Sequence, residues 1–217
     1  MIKRTLPSSA SVANAGEDGK LVAPAASRNA DALCAMLQDW APSQGRALEI
    51  ASGTGQHVRA FAETLPGLTW QPTEIDPHRR LSIDAYSRDL PNVAQAKEMD
   101  AALAGWHRRL RGQDLIILIN LVHLISWLET ETIISEVAQS LSPNGRFILY
   151  GPFKRAGQLT SDGDIRFHEA LTLQDPEIGY KDDEDIQELL KGVGLKMLES
   201  VEMPANNLAF VAERPVA

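Results

Sequence analysis

The sequence predicts an α/β protein built on a doubly wound, mostly parallel sheet with helices on both faces. Three observations carry that prediction. Short apolar runs alternate with segments of helical spacing along most of the chain. The run Asp114–Asn120 (D-L-I-I-L-I-N) is apolar on both faces, as a strand in the middle of a parallel sheet must be. The first strand candidate ends in a glycine-rich loop that opens directly into a helix, the place where such sheets bind ligands.

Composition narrows the classes. The 217 residues favour one domain with a full core. Apolar residues make up 44% and charged residues 23%, and no stretch approaches the roughly 20 apolar residues of a membrane-spanning helix. A single cysteine, Cys34, excludes an intrachain disulfide and a Cys-rich zinc site. There are 21 Lys and Arg against 29 Asp and Glu, a net charge of −8, the wrong sign for a domain that wraps a nucleic-acid backbone.

The elements follow in order. Residues 1–24 read as a flexible arm with no apolar segment of a secretory signal, and 25–217 as a single domain. Ala30, Leu33, Leu37 and Trp40 have helical spacing, with Ser27 or Asn29 as cap. Arg46–Ile50 reads as a buried strand, 56–65 as a helix and Leu68–Gln71 as a second strand. The 77–90 helix has Asp76 as N-cap and Pro77 at its first position. Val93–Ala96 reads as a weak strand. Ser126-Trp-Leu-Glu129 has the form of a capping box before the helix through Leu141. Arg146–Tyr150 is a strand, 151–181 an insertion of no simple element, 182–193 a helix, and 195–202 and 208–213 the last two strands. The closing strand pair without a helix between is unusual for a dinucleotide-binding half.

The chemistry concentrates at strand ends. The first strand runs into Glu49-Ile-Ala51-Ser52-Gly53-Thr54-Gly55. Glycines let the backbone turn and let a ligand approach, and the new helix adds free N–H groups and partial positive charge. The third glycine of a dinucleotide fingerprint is replaced by Val58. A carboxylate at Glu49 suits a cationic ligand better than a diphosphate, and S-adenosylmethionine (SAM) carries both a sulfonium and an ammonium. Glu74 and Asp76 end the second strand at the distance from the loop where an acid takes ribose hydroxyls. Glu74 is preferred because Asp76 also serves as helix cap. Asp100 is positioned either to accept from an adenine amino group or to cap a helix.

The motifs A-S-G-T-G-Q-H (51–57), W-Q-P-T-E (70–74), N-L-V-H (120–123), Y-G-P-F (150–153) and M-P-A-N-N (203–207), with A-A-S-R-N (25–29), resemble the methyltransferase-like 26 family. That is a domain of unknown function among the class I SAM-dependent methyltransferases, and the resemblance covers about residues 24–213. It implies a Rossmann-like seven-stranded sheet whose last hairpin explains the final strand pair. It implies SAM as cofactor and leaves the methyl acceptor unassigned. Two departures stand out. Ala51 occupies a position where methyltransferase loops usually have glycine. In the insertion, Asp162 and His168 replace the family's Asn and Asp.

Several residues carry two readings. His123 and Asn120 leave the central strand where the substrate is met. His123 is the candidate base, or it packs at the strand end. His57 lines the cofactor pocket or sits on the surface. Arg28 and Asn29 close over the cofactor carboxylate, or form a cap and an exposed arginine. Tyr150, Pro152 and Phe153 form an apolar substrate wall, or Tyr150 is strand core. Asn206 and Asn207 bond a substrate or form a turn. Trp106-His-Arg-Arg-Leu-Arg111 reads as a solvated helix face, and Asp182–Asp185 as a helix start. No spacing suggests a metal site. The expectation is a cytoplasmic SAM-dependent methyltransferase acting on a small-molecule or protein acceptor, with nucleic acid and membrane unfavoured. The alternatives are a silent SAM- or nucleotide-binding module and an NAD-dependent reductase, which Val58 disfavours.

Overall fold

The computed structural model describes Pro7 and residues 10–216. Strands β3 (Gly45–Ile50), β4 (Leu68–Glu74), β5 (Lys97–Glu98), β6 (Gln113–Ile119), β7 (Leu141–Pro152), β8 (Lys196–Met203) and β9 (Asn207–Glu213) form one sheet in the order β5-β4-β3-β6-β7-β9-β8. The first five are parallel neighbours, and β9 runs antiparallel between β7 and β8. This is the expected seven-stranded sheet with its terminal hairpin. The order reverses between β3 and β6, the point where sheets of this kind bind ligands at their carboxyl ends.

Period-two alternation divides the strand residues between two cores. Ala47, Leu115, Ile117, Ile148 and Tyr150 face α1 (Pro24–Trp40), α2 (Gln56–Thr64) and α3 (Pro77–Ser87), packing on Leu33, Leu37, Phe61 and Ile83. Leu48, Ile50, Ile116, Leu118, Phe147 and Leu149 face α4 (Trp127–Ser140) and α6 (Asp183–Gly192), packing on Ile133, Val137, Ile186 and Leu190. The capping box closes as the sequence predicts: Ser126 Oγ accepts from Glu129 N–H while the Glu129 carboxylate accepts from Ser126 N–H. Such a cap contributes about 1 kcal/mol. Asp76 caps α3 by accepting from the amides of His78 and Arg79. No helix among the described residues is long and apolar enough to cross a membrane.

Five expectations are corrected. The arm carries a hairpin, β1 (Asn14–Ala15) with β2 (Leu21–Val22), and Leu21 N–H donates to Ser82 Oγ on α3 at 2.8 Å. Helix α1 begins at Pro24 rather than Ala30, so Ser27 and Asn29 lie inside it and cap nothing. Proline at the first turn pre-sets the backbone, and the N–H of Ala23 finds Gln56 Oε1 instead. The weak third strand falls at 97–98, while Val93 makes only an isolated bridge to Trp70. The insertion contains a helix, α5 (Asp162–Gln174), capped by Ser161. The basic 106–111 cluster is no solvated helix face. It holds a short 3-10 turn in which Trp106 and His107 are buried, and His107 bonds the buried carboxylate of Glu136.

Candidate functional site at the β3–β6 crevice

The loop after β3 is built by hydrogen bonds to β4. Ser52 N–H donates to Thr73 O, Thr73 N–H to Ser52 Oγ, and Thr73 Oγ1 to Glu49 O at 2.8 Å. The two loop glycines do different work. A side chain at Gly55 would stand 2.6 Å from the Ile83 backbone, so this glycine lets the loop press against α3. At Gly53 the same test meets only the Arg79 guanidinium at 4.0 Å, so this glycine fronts open space. Both have positive φ, which glycine adopts freely. Ala51 and Asn120, at the ends of the paired strands β3 and β6, also have positive φ, +52° and +54°. For a residue with a side chain that is strained, and strain of this kind collects at ligand sites.

Two carboxylates flank the loop. Glu74 is nearly buried, and its Oε2 accepts from Gly53 N–H at 3.0 Å. Its Oε1 accepts from the amides of Ile75 and Asp76. Both lone pairs of Oε1 are therefore used, and Oε2 keeps one. Glu49 is 1% exposed, and its Oε2 is buried without a hydrogen-bond partner among the described residues. Loss of solvation pushes its pKa up to about 8, a hydrogen bond from Ser52 opposes the rise, and the charge of Glu74 adds to it. A buried acid with an idle oxygen marks a place where a cation or donor is missing.

Three residues flagged separately in the sequence come together beside this loop. His57 Nε2 lies 2.8 Å from Asn29 Oδ1, joining α2 to α1. Asn29 also neighbours Tyr150 at the end of β7, and its amide opposes the rise that burial imposes on the phenol. Burial drives the His57 pKa down to about 4, so the ring is neutral. Arg28, the neighbour of Asn29, is exposed.

The expected substrate side is occupied by the insertion. His123 is buried, its ring 5.8 Å from that of Phe167 and 6.2 Å from that of Tyr180. Desolvation and the nearby Lys181 charge drive its pKa down to about 3. Its conjugate acid is then so strong that it has little capacity to take a proton. His123 therefore sits in the packed surroundings of its second reading. Phe153 is core, meeting Phe210 edge-on at 4.9 Å. The Tyr150 ring is likewise strand core at 2% exposure, with its hydroxyl beside Asn29. Asn207 donates to Pro204 O and Ala205 O, as a turn former does. Asn206 donates to Asp164 at 3.0 Å and so ties the last hairpin to the insertion. Asp100 accepts from Ala102 N–H within a turn, and no helix begins there for it to cap.

Sequence reasoning missed Asp164 and Tyr180. Asp164 accepts from Thr160, Ser161, Tyr180 and Asn206 and organises the insertion. Its only sequence signal was a Thr-Ser-x-x-Asp run. A cavity of about 760 Å³ opens on the insertion, lined by Trp127, Lys154, His168 and Tyr180 among others, and includes no residue of the loop after β3.

A family model described as a protein of unknown function (DUF938) matches residues 20–214. The chain belongs to that family. Solved structures share its fold. An O-methyltransferase family protein from Burkholderia thailandensis superposes with a TM-score of 0.75 at 16% identity, over 89% of this chain and 58% of that one. Human N-acetylserotonin methyltransferase in complex with SAM gives 0.69 at 13% identity, over 88% and 53%. Mitomycin 7-O-methyltransferase MmcR gives 0.71 at 16% identity, over 88% and 54%. The DUF938 chain thus has the class I methyltransferase fold and spans little more than half the length of these proteins.

Proposed function

We propose that this DUF938 protein is a SAM-dependent methyltransferase acting on an unidentified small-molecule or protein acceptor. The observation that carries the reading is the idle buried oxygen of Glu49 at the carboxyl end of β3. A diphosphate would meet the Glu74 carboxylate and hold Glu49 protonated, whereas the ammonium and sulfonium of SAM are drawn to both acids and favour ionisation of Glu49. The glycine loop, the acid closing β4 and the motifs that resemble the methyltransferase-like 26 family support the same reading.

The residues present fit the cofactor. Glu49 takes the ammonium. Gly53 gives backbone room for close approach, and the free position on Glu74 Oε2 takes a ribose hydroxyl. Asn120, turned by its positive φ at the end of β6, borders the reacting end. When bound, the cofactor supplies a methyl group already activated by its sulfonium. The protein then contributes orientation and exclusion of water, and proximity alone can supply several kcal/mol. With His123 packed as a neutral ring, the acceptor must reach the site already nucleophilic, or lose its proton to solvent.

Isothermal titration with SAM, its demethylated product S-adenosylhomocysteine (SAH), and NADH tests the reading. Binding of SAM and SAH below millimolar concentration, with none of NADH, is the expected result. Binding of NADH alone, or of none of the three, overturns it.

A further inference from the structure

We propose that Asn29 and Tyr150 seat the carboxylate of the cofactor's amino-acid tail, and that His57 is the positioning residue that sets the direction of the Asn29 amide. The inference rests on the SAM reading and deepens it. It starts from hydrogen-bond direction. A carboxamide oxygen only accepts, so the 2.8 Å contact with Asn29 Oδ1 requires His57 Nε2 to carry a proton. The imidazole is held in place by stacking on Phe61, with centroids 5.6 Å apart and planes 4° from parallel. With its oxygen committed to His57, Asn29 presents its N–H₂ side, and the Tyr150 hydroxyl lies against it. Once that hydroxyl accepts from the amide, its own proton is directed onward.

The sheet register places this pair relative to Glu49. Glu49 pairs with Ile117, Ile117 with Ile148, and Tyr150 lies two residues beyond Ile148. The alternation of Ala47, Glu49 and of Ile148, Tyr150 puts both side chains on the α1–α2 face. Two strand spacings across and two residues along separate their Cα atoms by roughly 12 Å. One side of the crevice therefore offers an acceptor without a partner, and the other offers neutral donors. That is the complement of an α-amino acid group, ammonium toward Glu49 and carboxylate toward Asn29 and Tyr150. Neutral donors have an advantage over a cation here. An arginine or lysine in their place would pair with Glu49 and close the site on itself, and the nearest cation in sequence, Arg28, is exposed instead.

The test compares SAH with 5′-methylthioadenosine, which keeps the adenosine and the sulfur but lacks the amino-acid tail. Tyr150→Phe and Asn29→Ala should each weaken SAH about tenfold, the scale of one hydrogen bond to a charged group, and leave methylthioadenosine unchanged. His57→Leu should weaken SAH alone by a smaller factor, and His57→Gln, which still offers an N–H to Asn29, should recover part of the loss. Circular dichroism shows which variants fold, and two independent sites keep the test alive if one does not. Equal loss for both ligands, or no loss of SAH in the folded variants, overturns the seat. Failure of the unaltered protein to bind either ligand overturns the SAM reading itself, and the seat with it.

Discussion

The raised pKa of Glu49 should make SAH binding a proton-releasing event. With a pKa near 8, only about a tenth of Glu49 is ionised at pH 7 in the free protein. The ammonium of the ligand binds the ionised form, so binding at pH 7 must first remove a proton at a cost of about 1.4 kcal/mol. The cost doubles to about 2.7 kcal/mol at pH 6 and largely disappears above pH 8. The dissociation constant of SAH should therefore fall about tenfold from pH 6 to pH 7 and flatten toward pH 8 and above. Titration calorimetry in two buffers of different ionisation enthalpy reads the same event as release of about 0.9 proton at pH 7. Glu49→Gln should bind SAH more weakly, release no proton and lose the pH dependence. The sign for stability runs the other way. Between pH 4.5 and 8 the unfolded chain loses the Glu49 proton and the folded chain keeps it, so this group erodes stability as pH rises. Glu49→Gln should accordingly raise the melting temperature more at pH 8 than at pH 5. A dissociation constant that is flat from pH 6 to pH 8, with no proton release, refutes the reasoning.

Three further outcomes follow from the same geometry. Ala51→Gly should raise stability by about 0.5–1 kcal/mol in chemical denaturation, because it relieves a side chain held at φ +52°. Glu74→Ala should weaken SAH by about 1–3 kcal/mol and also lower the melting temperature, since the same carboxylate clamps Gly53. An unchanged affinity would remove Glu74 from the site. His57 and His123 have folded pKa values depressed to about 4 and about 3 from an ordinary 6.5, so unfolding takes up protons below pH 6.5. They contribute a loss of stability as the pH falls from 6.5 toward 4. In thermal melts, His123→Phe should narrow the gap between pH 7 and pH 5.

The sheet and the loop were readable because their signals are local. The D-L-I-I-L-I-N run is apolar on both faces because β6 is central and covered on both sides. Asp76-Pro77 and Ser126–Glu129 mark helix starts by chemistry that acts within three residues. Helix α5 escaped because only Asp164 and Leu171 on it are buried, too few to write an apolar stripe. Strand β5 was placed a few residues early, at Val93–Ala96, because two residues carry no alternation to fix it. The role of His123 was not legible because Phe167 and Tyr180, far along the chain, decide its surroundings. Likewise Asn29, His57 and Tyr150 each drew attention, yet their union depends on α1, α2 and β7 meeting at one edge of the crevice. Residue types announced the site, and tertiary packing assigned the partners.

The central claim is a crevice between β3 and β6 shaped for a cationic nucleoside with an amino-acid tail. A crystal structure of the protein with SAH tests it most directly. The account predicts the ribose at Glu74, the sulfur near Gly53 and the tail running from Glu49 to Tyr150. Density for SAH elsewhere, or a tail pointing into solvent away from Glu49, would contradict it.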